Sequence, residues 1–433
     1  MKKLSALLLL NLCILPLAYG QYSTRKVITT DIDNFWTAYD SIRTTNDSLK
    51  QLYYIQKLYV NRGTPGLKAF MEAKDYTPGS YVFAIRRYPK FWASVRNNTY
   101  KAKILTSEFD PAIKTLNSIY PELKPAVIYF TIGALNSAGT SGNGMVLIGA
   151  ELATGDSTVD VSELPPALKS GLGPYFRSDP FQHIVPLNIH EYVHTQQHSE
   201  AYNLLAQCIY EGTCDFITEL VTLKTLPLPY MSYGPEHQPE LKAQFATEMF
   251  LNTYRNWLYN GTNNGKVGDL GYFMGYTICR SYYNHSKNKK QAIKDMIELN
   301  YADTTAVENF LVNSRYYEQS LAQLHQAYEV KRPIVTGVSV WPNKPVNPNT
   351  KEIKIDFSAV MGRSTAVDYG PGGKDTYPVT GISGFSPDKK SFTFKVDLQP
   401  DTDYDFIITG GGFRSAEGYP LVSYTVKFKT GPK

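Results

Sequence analysis

Apolar positions recur at helical spacing through the first quarter of the chain. Phe35, Tyr39 and Ile42 share one face, and Leu49, Leu52, Tyr53, Ile55 and Leu58 form another, so residues 21 to about 125 read as mainly helical. Gly63-Thr64-Pro65-Gly66 breaks the pattern before a short helix, Leu67 to Ala73. The β-rich run Val127-Ile128-Tyr129-Phe130-Thr131-Ile132 predicts a strand, the glycine- and serine-rich stretch 133–144 a flexible connector, and Met145-Val146-Leu147-Ile148 a second strand. Two helices are expected next, from Asn188 to about Tyr202 and from Leu204 to about Leu223. Pro227, Pro229, Pro235 and Pro239 then mark an exposed connection, with further helix over 243–258, 270–284 and 289–300. After Lys331-Arg332-Pro333 the period changes to that of short strands, at 334–341, 352–357, 391–398, 403–409 and 422–429, a spacing that suggests a β-sandwich.

A length of 433 residues argues for two or three units. Apolar residues make up 42% and charged residues 19%, which excludes a disordered chain and a polytopic membrane protein. The net charge of +5 is spread along the chain without a lysine or arginine run, so nothing points to a nucleic-acid partner. Lys2 and Lys3, the apolar run Leu4 to Leu17 and Ala18-Tyr19-Gly20 together read as an export signal over 1–20, which predicts a periplasmic, cell-surface or secreted protein. No later stretch approaches the ~18–20 apolar residues of a transmembrane segment. Cys208, Cys214 and Cys279 follow the signal at no repeated spacing, so one pair plus a thiol and three buried thiols are both open. Tyrosine, at 33 copies, is the compositional outlier.

Histidine carries the chemistry. There are seven, and His183, His190, His194 and His198 crowd together. His190-Glu191-Tyr192-Val193-His194 spells H-E-x-x-H. On a helix the two histidines lie one turn apart, about 6 Å along the axis, and can meet one ion, while Glu191 points aside to hold a water. A hydrolytic zinc site needs a third protein ligand and an open position. His198, about 12 Å from His190 on a continuing helix, is too far. Cys208 is possible but unusual in an exported hydrolase. Glu211, seventeen residues after His194 on the next helix, is the best candidate, and Asp215 one turn on is placed to accept a hydrogen bond from the non-ligating nitrogen of His190.

H-E-x-x-H followed by E-x-x-x-D on the next helix resembles the gluzincin metallopeptidases. The phrase Glu211-Gly212-Thr213-Cys214-Asp215, with Gly63 to Phe70, Val127 to Gly133 and Gly271-Tyr272-Phe273-Met274-Gly275-Tyr276, is similar to a branch of predicted bacterial zinc-dependent proteases, with Cys214 where that branch usually has alanine. The resemblance implies a mostly helical, zincin-like catalytic domain at 21–330 with a small antiparallel sheet. It implies one Zn2+ per chain and hydrolysis of a peptide or protein substrate, with Glu191 as general base. Tyr272 and Tyr276 are the candidate oxyanion donors, with His198 and His183 as alternatives. The strand Met145 to Ile148 is expected to offer an edge to an extended peptide, and Glu151 at its end a carboxylate for a substrate amine. The phrases Ile355 to Met361 and Leu398 to Tyr404 resemble bacterial immunoglobulin-like modules, implying an all-β sandwich at 334–433 with a possible glycan or surface contact. The expected fold class is therefore α+β. The rival reading is a surface or periplasmic binding or assembly protein that keeps a non-catalytic zinc site.

Overall fold

The computed structural model describes residues 27–261 and 267–433, so the export signal expected at 1–20 lies outside the described residues. Among these residues no helix is long and apolar enough to cross a membrane. The chain is α+β and forms two compact units: the residues up to Lys114 together with Leu123–Thr195, and Thr115–Glu122 together with Gln196–Lys433.

The first unit carries helices α1 (Thr30–Arg43), α2 (Ser48–Leu58), α3 (Pro65–Ala73), α4 (Pro78–Arg87) and α5 (Pro89–Tyr100). It shares α6 (Asp110–Ile119) with the second unit and continues with α7 (Ala150–Ala153), α8 (Pro166–Arg177) and α9 (Ile184–His194). Helix α1 buries Ile32, Phe35, Trp36, Tyr39 and Ile42, the periodic stripe that the sequence shows. Helix α2 does not follow its pattern. Leu49, Leu52 and Tyr53 stay exposed, and Gln51 and Ile55 are the residues it buries. Asp47 caps α2 by accepting from Leu49 N and Lys50 N, and Thr64 caps α3 just before Pro65.

Strands β1 (Val27–Ile28), β2 (Val127–Thr131), β3 (Gly139–Gly142) and β4 (Met145–Gly149) form one sheet in the order β1-β2-β4-β3. It is mixed rather than antiparallel: β2 runs parallel to both β1 and β4, and only β3 runs antiparallel to β4. The expected edge strand, Met145 to Ile148, is therefore internal. Part of the glycine-rich connector forms β3 and takes the edge, because its carbonyl and amide groups find partners on β4.

Tyr59 shows one use of the tyrosines. It is fully buried between the rings of Phe35 and Tyr81, and its hydroxyl donates to Ile132 O and accepts from Ile132 N, closing the end of β2.

Glu151 does not face a cleft. It is fully buried, and its carboxylate accepts from Gly133 N at 2.8 Å and Leu135 N at 3.4 Å, tying down the turn after β2. Burial outweighs those bonds and raises its pKa to about 7. A raised carboxyl pKa means that the folded state holds the proton where the unfolded chain has lost it. Its contribution to stability is complete below about pH 4.5 and is lost as pH rises to about 7. Glu151→Gln is expected to remove this decline, on the order of 3 kcal/mol between pH 4 and 8. Urea denaturation of both chains at pH 5 and pH 8 checks it, and equal slopes with pH refute it.

The second unit carries α10 (Leu204–Thr222), α11 (Pro229–Glu236), α12 (Gln238–Glu248), α13 (Leu270–His285), α14 (Lys289–Ile297), α15 (Thr304–Ser314) and α16 (Leu321–Glu329). The proline-rich connection is helical, with Pro229 at the start of α11, where a missing amide costs nothing. Helix α10 packs on α13 through glycines. A Cβ on Gly275 would run into the Cys208 carbonyl, and one on Gly212 into the Gly275–Tyr276 peptide.

Seven strands follow: β5 (Val335–Val338), β6 (Glu352–Phe357), β7 (Val367–Tyr369), β8 (Val379–Phe385), β9 (Ser391–Val396), β10 (Asp403–Ile408) and β11 (Tyr424–Lys429). They make two antiparallel sheets, β5-β6-β9-β8 and β11-β10-β7, whose inward residues, among them Ile353, Ile355, Phe392, Phe394, Phe406 and Phe428, share one core. The three-residue β7 and the glycine-broken β8 lack the sustained in-out alternation of β6. This strand-rich region belongs to the same compact unit as the preceding helices. Leu251, Tyr328 and Tyr419 pack together, and Arg332 donates to the Pro420 and Leu421 carbonyls.

Candidate metal centre

Helix α9 packs beneath β3 and β4, and Tyr192, fully buried, accepts from Ala126 N at 3.0 Å to fix the helix to the start of β2. This leaves the opposite turn positions, His190 and His194, side by side. Their Nε2 atoms are 3.1 Å apart and their rings cross at 79°. Two nitrogens bound at 2.0–2.1 Å to a tetrahedral zinc stand about 3.3 Å apart, so the pair fits that ion with little adjustment. Glu191 between them is half-exposed, and no hydrogen bond or ion pair holds its carboxylate among the described residues.

Helix α9 ends at His194, eight residues sooner than expected. His198 therefore lies on the connection to α10 and is exposed, so the distance along a continuing helix does not apply to it. His183 sits at the N-terminus of α9 without capping it.

Helix α10 starts where the sequence places it, because Asn203 caps it by accepting from Ala206 N at 2.9 Å. Glu211 and Asp215 lie one turn apart, 6% and 1% exposed, which demands partners for both carboxylates. Glu211 Oε1 accepts from the Tyr259 hydroxyl at 2.7 Å and from Gln207 Nε2 at 3.2 Å. Asp215 Oδ2 accepts from the Tyr230 hydroxyl at 3.0 Å. Neither Tyr230 nor Tyr259 stands out in the linear pattern, because their carboxylate partners are remote in the chain.

Tyr272 stacks on Tyr230 with ring centroids 5.2 Å apart and meets Tyr259 edge-on at 6.3 Å. Burial, then the Glu211 carboxylate, holds its phenol well above the ordinary tyrosine pKa, so it keeps a proton to donate. Tyr276 has another engagement. Its hydroxyl donates to Glu219 Oε1 at 2.7 Å, Arg280 lies over its ring, and burial with that bond pushes its pKa up to about 12.

Cys208, Cys214 and Cys279 are buried and form no disulfide among the described residues. Cys208 faces α13, where its Sγ would meet a Cβ on Gly271 at 2.8 Å. Burial, then Glu211, raises its pKa, which opposes the thiolate a metal requires. Cys214 donates to Gln197 Oε1 at 3.4 Å.

No family model matches the chain, and no curated protein matches it. Among solved structures it is similar to the S-layer protein rSbsC(31-844), at 10% identity and a TM-score of 0.17 over 61% of this chain and 37% of that one. Domains 1–6 of the surface layer protein SbsC give 11% identity and a TM-score of 0.19, over 93% of this chain and 45% of that one. The N-terminal part of SbsC gives 12% and 0.17, over 61% and 64%. The chain thus spans less than two thirds of each, and TM-scores at this level assign no fold.

Proposed function

We propose that the protein is an exported zinc-dependent metallopeptidase. The observation that carries this reading is the pair of imidazole nitrogens 3.1 Å apart on α9, with the unengaged Glu191 carboxylate between them in sequence. His190 and His194 are the first two ligands, Glu211 is the third, and Asp215 orients His190. Zinc, when bound, supplies Lewis-acid polarisation of a carbonyl and acidifies a water.

The remaining work falls to side chains. Glu191 accepts the proton of the attacking water and delivers it to the leaving amine. Tyr272 is the preferred donor to the developing oxyanion, because the Tyr276 hydroxyl is already given to Glu219. The outer edge of β3, which pairs only with β4 among the described residues, replaces Met145 to Ile148 as the edge that takes an extended peptide as an added strand. The substrate is a peptide or protein rather than a nucleic acid, and the C-terminal sheets serve a glycan or surface contact.

Elemental analysis of the purified chain is the first test. One zinc per chain is expected, falling below a tenth in His190→Ala and in His194→Ala. A parent chain without zinc ends the proposal. One zinc with no cleavage of a diverse peptide library turns it into the binding or assembly reading.

A further inference from the structure

Tyr259 occupies a backbone conformation that a bulky residue avoids, at φ 57°. Packing does not account for this, since the residue is 59% exposed. Its surroundings nevertheless hold it there. The next residue, Asn260, is locked to Asp269 by a reciprocal pair, Asn260 N to Asp269 Oδ1 at 3.0 Å and Asp269 N to Asn260 Oδ1 at 2.7 Å. Asp269 is itself at φ 58°. The ring is braced edge-on by Tyr254 at 6.1 Å and Tyr272 at 6.3 Å. All of this aims one hydroxyl at Glu211 Oε1, 2.7 Å away. Gln207 Nε2 completes a triangle, 2.8 Å from the Tyr259 hydroxyl and 3.2 Å from the same carboxylate oxygen. Strain kept at an exposed position by several independent contacts is usually kept for what the side chain does there.

We propose that Tyr259 is a positioning residue for Glu211, a role that rests on the zinc reading above. The hydroxyl and the Gln207 amide both donate to Oε1, so two hydrogen bonds from fixed side chains hold that oxygen in place. They also fix the plane of the carboxylate before the metal arrives, which removes an ordering cost from binding.

Zinc affinity, measured by chelator competition on the parent, Tyr259→Phe, Glu211→Gln and the double variant, tests this. Tyr259→Phe keeps the ring and its edge contacts and is expected to weaken zinc by about 10- to 100-fold. In the Glu211→Gln background the same change is expected to do less than twofold, because the residue it positions is gone. A Tyr259→Phe affinity within twofold of the parent overturns the role, and so does an equal loss in both backgrounds, which would report general destabilisation. A parent that takes up no zinc overturns the zinc reading and this role with it.

Discussion

Glu191→Gln is expected to hold zinc as the parent does and to hydrolyse peptides about 100- to 10,000-fold more slowly, the span usual for loss of a positioned general base. The substitution keeps shape and removes only the capacity to take a proton. Glu191 has no hydrogen bond or ion pair among the described residues, so the fold has nothing to lose with its charge. The helix is secured elsewhere, by Tyr192 and the packing on β3 and β4. Steady-state cleavage of a mixed peptide pool, with zinc content and the thermal melt measured on the same preparation, separates the outcomes. Full turnover with zinc bound would remove Glu191 from the mechanism. Lost turnover with lost zinc would show that the side chain supports the metal rather than the reaction.

Gly275→Ala should unfold the second unit more readily, by an amount at or above the top of the roughly 1–3 kcal/mol usual for overpacking. The sign is informative, because intrinsic helix propensity alone favours alanine over glycine by about 1 kcal/mol. The added methyl would meet the Cys208 carbonyl, which is backbone and has no rotamer to escape into. Helices α10 and α13 would have to part, carrying Glu211 and Asp215 away from Tyr272. Gly171→Ala on α8 is the control, since nothing lies within 4 Å of its Cβ position. It is expected to be neutral or slightly stabilising. Urea midpoints decide the matter, and a Gly275→Ala chain as stable as the control would show that the two helices do not need their close approach.

The glycines of Glu211-Gly212 and of Gly271 to Gly275 were legible only as parts of a motif. Nothing local says that they thin two helix faces, because that requirement belongs to the partner helix. The proline-rich segment misled for a related reason: proline excludes a helix interior but suits a first turn, and the buried Tyr230 and Met231 of α11 supply the packing that favours helix there. The exposed apolar face of α2 shows the converse, a correct period with its burial decided by neighbours.

By itself the sequence determined what depends on residues close in the chain. It fixed the helical spacing that sets His190 beside His194, the start of α10 at the Asn203 cap, the alternation of β6, β9 and β10, and the change from helix to strand between α16 and β5. Tertiary structure alone decided what depends on groups far apart. It made β4 an internal strand and β3 an edge, buried Glu151 under the turn it binds, gave the Tyr276 hydroxyl to Glu219, and brought Tyr230 to Asp215 and Tyr259 to Glu211. The physical reason is common to these cases. A buried polar group must find a partner wherever the fold supplies one, and a one-dimensional pattern records the need without the address.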